Sequence, residues 1–503
     1  MEKIKVKIRG FFKNNTKEII VVGIILLLAA FLRLYRISEY MHFMGDEGRD
    51  MIVVRNLLVN KDLILIGPGT SVGNMYLGPL YYYLIAPALL LFDFEPVGPA
   101  IMVALLGVGT VLLTYLLTKK WFGIRAGVIA AFFSAISYLF IKYSIFSWNP
   151  NVLPFFSILS VFLLSEIKEK KSWLIIPSLA SFAFVLQSHY MGIFLFPVLL
   201  TIWIYKLKND KAVKRYLVNT LLGVLLFLLL MSPLLIFDLR HGMMNYNALM
   251  VYLNGLGGSR TYSTVTLFDR VLSNFRFMVG EVVGSKFDTI ITGGYSFLLV
   301  IGMIYLSFYH KNKYAVLTTI IWFVIAVLGL TIYGGRIISH YYGYAFAVIP
   351  IIVGAVVGDL MKRKYLGIIF AFLLMSPVIY FAVINSNLNW KPNRLVQKAE
   401  AVADKIIEES EGKELNLAVL SNFNYEDGYQ YFVEKKGYVA KDIDPSKFNE
   451  TVTDQLFVVC ELEEENCKPT SNPNTQIANF GWSKIVGKWQ IENVILYKLT
   501  HTQ

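Results

Sequence analysis

Residues 44–58 read MGDEGRDMIVVRNLL. Three carboxylates and two arginines fall within ten residues, Asp46 to Arg55, in a chain that is only 16% charged. The stretch comes shortly after the first long apolar run, 18–36. Asp46 suits a helix N-cap, and acids are favoured in a first helical turn. Met51, Val54 and Leu58 would then share one face of an amphipathic helix. A cap accounts for one acid at a membrane boundary, but not for Glu47 beside it.

Working outward, PLYYYLIAPALLLF (79–92) is apolar but only 14 residues long, and it ends at Asp93. A bilayer core needs about 20 apolar residues per helix, with ~17 as a lower end. The run therefore reads as a helix lying in the membrane interface, and the next true span starts near Val97. Residues 37–96 form a structured first loop that hugs the membrane and carries Asp46 and Glu47.

The whole chain fits that frame. Of its 503 residues 56% are hydrophobic and 15% aromatic, and the mean hydropathy is +0.55. Soluble domains average ~25% charged residues, so this is a polytopic membrane protein. The basic start, MEKIKVKIRGFFKNNTK, runs into an apolar stretch too long for a signal peptide, and no small-residue cleavage site follows, so we expect a retained first span. The net charge of +12 invites a nucleic-acid reading. The basic residues sit at span ends, where membrane orientation explains them, so no nucleic-acid partner is expected. Only two cysteines exist, Cys460 and Cys467, too few for a disulfide scaffold or a cysteine-rich metal site.

Eleven candidate spans follow: 18–36, 97–118, 125–143, 151–167, 173–189, 190–206, 216–237, 293–309, 314–333, 340–358 and 365–384. The stretch from Trp173 to Tyr205 reads as two short helices meeting at QSHY or as one long kinked element. With eleven spans, the basic turns KKWFGIR, EIKEKKS, KLKNDKAVKR, HKNK and KRK share the side of the basic N-terminus, which makes that side cytoplasmic. The loop 238–292 places Arg260, Arg270 and Arg276 on the other side, but long loops weigh little in this rule. The first loop, WNPN (148–151), QSHY (187–190) and everything after Asn385 then face outward.

Composition shifts at NSNLNWKPNR (385–394), a linker. Beyond it RLVQKAEAVADKIIEES has helical spacing, and LNLAVLS, QLFVVCEL and NVILYKL are short β-rich runs. The expected domains are a transmembrane core over 1–389 and a small extracytoplasmic α/β domain over 390–503. A disulfide between Cys460 and Cys467 and a pair of free thiols fit that domain equally.

An acidic pair just after the first span, an amphipathic helix and then YLGPLYYYLIAP ahead of the second span resemble the GT-C glycosyltransferases. The likeness is to the branch of protein O-mannosyltransferases and bacterial aminoarabinose transferases. It is strongest over 45–125, where DEGRD and VLLTYLLTKKWFG also fit, and in layout it extends over most of the chain. The resemblance implies an enzyme that moves a sugar from a polyprenyl-phosphate carrier to a lipid, glycan or protein acceptor on the outer face. It implies Asp46 as the catalytic base, with Glu47 as its companion. A carboxylate ionised at neutral pH can take the proton of an acceptor hydroxyl, a poor nucleophile otherwise. The leaving lipid phosphate needs cationic or hydrogen-bonding partners.

Candidates for that second task are Gln187, His189 and Tyr190 in QSHY, and Arg336, His340 and Tyr341 in GGRIISHYYGYAFAVIP (334–350). Each has a plainer reading, as interhelical packing or as an interfacial aromatic belt with a snorkelling arginine. Arg49 and Arg55 are further candidates, or simply partners of Asp46 and Asp50. Many relatives in the resembling family place another acid in the loop between spans three and four. SWNPNVLP has none, and its Asn149 and Asn151 could bind sugar or phosphate or could form a turn before a helix. Asp46 with Glu47 could hold a divalent ion, but no His/Asp cluster has metal-ligand spacing, and the resemblance implies a reaction that need not use a metal, so no metal or cofactor is expected. YLNGLGGSRTYSTV (252–265) is a flexible glycine-rich loop or a cover over the site. Walker A, GxGxxG and nucleophile-elbow motifs are missing. The alternative, a transporter or flippase of lipid-linked sugars, predicts ionisable residues inside spans. Here the spans are nearly free of charge and the acids gather at one face.

Overall fold

A computed structural model describes residues 2–73, 75–209, 211–254, 266–286, 288–333, 335 and 337–502. The N-terminal four-fifths is helical. Its first helix is α1 (Glu2–Leu34), followed by the single turn α2 (Ile37–Tyr40), then α3 (Gly45–Val59) and α4 (Leu80–Leu91). The acidic stretch thus opens a helix. Glu47, at the third helical position, accepts a hydrogen bond from the Met44 backbone N–H at 2.9 Å, satisfying a donor at the helix entrance. Met51 and Val54 are buried on the inner face of α3, as the spacing predicts. At 12 residues α4 rises about 18 Å, too short to cross ~30 Å of hydrocarbon. It buries Tyr81, Tyr82, Ile85 and Leu89.

The body of the helical part is α5 (Val97–Phe122), α6 (Ile124–Ile136), α7 (Tyr138–Lys142), α8 (Leu153–Ser165), α9 (Ile175–Ser188), α10 (Phe196–Lys208) and α11 (Val213–Arg240). It continues through α12 (Met244–Leu253), α13 (Leu267–Val283), α14 (Thr289–Tyr309), α15 (Lys313–Tyr333), α16 (Val348–Leu360) and α17 (Lys364–Ile384). Among the described residues six helices are long and apolar enough to cross a membrane, or seven if the bent pair Ser339–Ala345 and Val348–Leu360, at 53°, counts as one span. All eleven expected stretches are helical. Those at α6, α8 and α9 run only 13, 13 and 14 residues, below the usual spanning length. Leucines 217, 221, 225 and 229 of α11 are all exposed, as are Ile368 and Phe372 of α17. Apolar surface so extensive on one body is the signature of a lipid-facing belt.

Three details depart from the simple pattern. The expected span 125–143 breaks at Ser137, whose hydroxyl donates to the Val282 carbonyl at 2.6 Å. There the buried Arg33 guanidinium donates to the carbonyls of Ser134 and Ala135, which α6 leaves unpaired at its end. Of the two readings at QSHY, the chain takes two helices: His189 is extended between α9 and a short 3₁₀ turn leading into α10. The long loop 238–292 contains α12 and α13, the second strongly amphipathic and packed on α15 and α14.

After α17 come α18 (Leu395–Ser410), β1 (Leu415–Leu420), α19 (Asp427–Lys435), β2 (Ala440–Lys441), β3 (Gln455–Cys460), β4 (Ser483–Ile491) and β5 (Val494–His501). The sheet order is β2-β1-β3-β5-β4. Strand β1 pairs parallel with β2 and β3, while β5 runs antiparallel to β3 and β4. Both faces of β1 and β3 are buried, which is why they read as largely apolar runs, interrupted only by Asn416 and by Gln455 at the start of β3. Helix α18 buries Val396, Ala399, Val402, Ala403 and Ile406. Cys460 and Cys467 are joined by a disulfide.

Candidate active site

The first turn of α3 is where the helical body meets the C-terminal sheet unit. Two glycines make the approach. A Cβ on Gly48 would lie 2.4 Å from backbone atoms of Asp427 and Gly428, and one on Gly45 would lie 2.5 Å from the ring of Tyr425. The N-terminus of α19 therefore seats directly on the α3 backbone. The Gly45 N–H donates to the Asn424 side-chain oxygen at 2.9 Å.

Asp46 stands between those glycines with its side chain 42% exposed. Its Oδ1 accepts from Arg49 Nη1 at 2.9 Å and from the Tyr425 hydroxyl. Arg49 also donates through Nε and Nη2 to Asp50 Oδ1, at 3.1 and 2.8 Å. Asp50 is fully buried and accepts from the Tyr82 hydroxyl as well, at 3.2 Å. Burial pushes the Asp50 carboxyl upward, against the pull of the Arg49 charge. Glu47 is 3% exposed, and beyond the Met44 N–H it bonds His42 Nδ1 at 3.0 Å. Burial disfavours a charged His42 ring, but Glu47 and the nearby Asp46 outweigh it, and His42 is held above its ordinary range.

Asp46, Glu47 and His42 line a cavity of about 550 Å³. The same cavity is lined by Lys142 at the end of α7, Trp148, His340 and, from the linker, Trp390 and Lys391. Among the described residues neither Lys142 nor Lys391 has a carboxylate partner, although Lys142 lies 5.4 Å from the Tyr143 ring centre. His340 is 7% exposed, with Nδ1 unpartnered among the described residues. Its ring stands edge-on to Trp148 at 4.6 Å and touches Tyr341 and His189 at 4.8 and 5.5 Å.

The residues expected from sequence therefore separate. Asp46, Glu47 and His340 line one cavity, with His189 and Tyr341 behind His340. Arg49 is bound to two acids. Asn149 donates to the Ser188 carbonyl and Asn151 to the Phe146 carbonyl, both at 2.9 Å, and both are buried in the turn before α8. The Tyr190 hydroxyl donates to the Tyr76 carbonyl, away from the cavity. Arg336 and the glycine-rich segment 255–265 lie outside the described residues. Sequence reasoning missed His42, Lys142, Trp148, Lys391 and Tyr425. For Lys142 a signal existed: it is a lysine within the expected span 125–143, on the side opposite the basic turns. Tyr425 offered none, since 379 residues separate it from Asp46. Among the described residues no three His, Cys, Asp or Glu side chains converge as metal ligands.

Against known proteins, residues 77–237 match the dolichyl-phosphate-mannose-protein mannosyltransferase family, about a third of the chain. No curated protein sequence matches. Among solved structures, ArnT from Cupriavidus metallidurans bound to undecaprenyl phosphate is similar at TM-score 0.59 and 12% identity, over 96% of this chain and 98% of that one. The oligosaccharyltransferase AglB from Archaeoglobus fulgidus, in complex with an inhibitory peptide and a dolichol-phosphate, is similar at TM-score 0.56 and 15% identity, over 98% of this chain and 75% of that one. The fold is that of the GT-C glycosyltransferases. The family match over residues 77–237 is in keeping with that fold, and the chain is similar to the mannosyltransferase family and to ArnT. The family match begins after Asp46, so the role of α3 rests on geometry.

Proposed function

We propose that this GT-C glycosyltransferase moves a sugar from a polyprenyl-phosphate donor to a lipid, glycan or protein acceptor at the outer face of the cytoplasmic membrane. The observation that carries the reading is one cavity lined by both a carboxylate, Asp46, and a lysine, Lys142, that has no carboxylate partner among the described residues. A base and a phosphate-binding cation are the two groups that direct displacement at an anomeric carbon requires. Asp46 takes the proton of the acceptor hydroxyl through Oδ2. The acceptor oxygen then bonds to the anomeric carbon as the bond from that carbon to the phosphate oxygen breaks. The polyprenyl phosphate leaves with the electron pair, and configuration inverts. Lys142, with Lys391 and His340 beside it, holds the phosphate as its charge grows.

The donor class rests on the polyprenyl and dolichyl phosphates bound by ArnT and AglB. The reading uses eleven spans, a cytoplasmic N-terminus, a core over 1–389 and an extracytoplasmic unit over 390–503. It uses no metal ion.

The test is release of polyprenyl phosphate by the purified protein, given a panel of polyprenyl-phosphate sugars and an envelope extract as acceptor. Wild type releases it with one donor, and Asp46→Asn loses about 10²-fold or more of that rate. Equal release by both would leave an enzyme whose base lies elsewhere. Movement of an intact lipid-linked sugar across vesicles without release would make the chain a flippase.

A further inference from the structure

We propose that Tyr425, from the C-terminal sheet unit, is a positioning residue for Asp46, so that the catalytic carboxylate is completed by the far end of the chain. This rests on Asp46 being the base.

The two oxygens of Asp46 are not equivalent. Oδ1 receives two donors, Arg49 Nη1 and the Tyr425 hydroxyl. Oδ2 receives none among the described residues. Two bonds on one oxygen fix the plane of the carboxylate and leave the other oxygen to the substrate. A side chain as exposed as Asp46 would otherwise rotate between staggered states, and a base displaced by ~1 Å loses about 10²-fold in rate. Arg49 alone does not fix it, because its remaining donors are drawn toward Asp50.

Tyr425 is itself held firmly. Asn424 Oδ1 accepts from the Tyr425 N–H at 3.0 Å and from the Gly45 N–H at 2.9 Å, tying the tyrosine backbone to the helix that bears Asp46. Asn424 Nδ2 donates to Glu461 Oε1 at 2.9 Å. The same oxygen accepts from Lys398 Nζ at 3.2 Å and from the Tyr429 hydroxyl. Glu461 follows β3, Lys398 is on α18 and Tyr429 is on α19, so three elements of the sheet unit converge to place one phenol. The ring packs over Gly45, where any side chain would collide with it. Burial pushes the Tyr425 hydroxyl up, which keeps its proton available for donation.

The experiment compares wild type, Tyr425→Phe, Asp46→Asn and the double variant as purified full-length proteins. The probe is undecaprenyl-phosphate mannose, glucose or 4-aminoarabinose, whichever the wild type turns over. Tyr425→Phe is expected to lower kcat about 10- to 100-fold with the donor KM within about twofold. In the Asp46→Asn background it should cause no further loss, because the group it positions is gone. Wild-type kcat in Tyr425→Phe, or an equal further loss in the double variant, overturns the proposal. A failure of Asp46 as base reads differently: Asp46→Asn stays active, or no donor is turned over. An active Asp46→Asn removes the base and the proposal with it; where no donor is turned over, hydrogen–deuterium exchange over 44–50 decides. Faster exchange there in Tyr425→Phe, with 97–118 unchanged, supports the positioning role, and unchanged exchange at 44–50 overturns it.

Discussion

At the scale of single residues, the acidic stretch is a division of labour among three carboxylates. Glu47 closes the entrance of α3 and holds His42, Asp50 is buried against Arg49, and Asp46 is the most exposed of the three where it lines the cavity. Different substitutions should therefore fail differently. Glu47→Ala leaves the Met44 N–H and His42 without their partner, and a lower unfolding midpoint corresponding to about 1–3 kcal/mol is expected in thermal or denaturant unfolding. Lys142→Met removes a cation without touching Asp46. The donor KM is expected to rise about 10-fold with the protein still folded, and an unchanged KM would assign the phosphate to Lys391 or His340 instead. Much of this was legible beforehand. An acid pair next to a membrane segment stands out, and so does a histidine in an aromatic run. Lys142 was passed over because it falls inside an apolar stretch counted as one span. Tyr425 was hidden because NYED reads as a turn, and nothing local says what its hydroxyl reaches.

At the scale of elements, the contact between α3 and α19 works only because side chains are missing from it. Gly48→Ala puts a methyl 2.4 Å from the Asp427 backbone, which cannot yield as a flexible side-chain tip would. The expected result is a loss of about 2 kcal/mol or more in docking of the two helices, read as faster proteolysis or hydrogen exchange across 424–435. Unaltered exchange would mean that the helices separate freely. The sequence showed α3, α4, α18 and the strands β1, β3 and β5 because each is marked by its own period or run. It did not show the break between α6 and α7. No glycine or proline stands there; Arg33 and Val282 make the break from other parts of the chain. Helices α12 and α13 escaped notice because neither is long or apolar enough to announce a span.

At the scale of the whole molecule, docking of the sheet unit should depend on pH. Burial, together with Glu426 and Asp442 close by, pushes the Asp427 carboxyl up to about 7; Glu434 acts in the same sense and the Arg49 charge opposes them. Free aspartate titrates near ~3.9, so between about pH 4 and 7 the folded protein keeps a proton that the unfolded chain has lost. Stability is then greatest below that window and falls as pH rises through it. The unfolding temperature should drop between pH 5.5 and 8, and Asp427→Asn should remove much of the drop. An equal drop in the variant would point to other groups.

The seating of α19 on α3 also has a consequence for manufacture. A ribosome delivers the N-terminus first, so α1 and α3 emerge more than 360 residues before Tyr425. If the tyrosine orients the base, every nascent or truncated copy is born idle. Activity switches on only when the last fifth of the chain has folded and closed back on the first tenth. Under the proposed function, the lipid-linked donor would thereby be kept from unfinished enzymes, a form of quality control that needs no second protein.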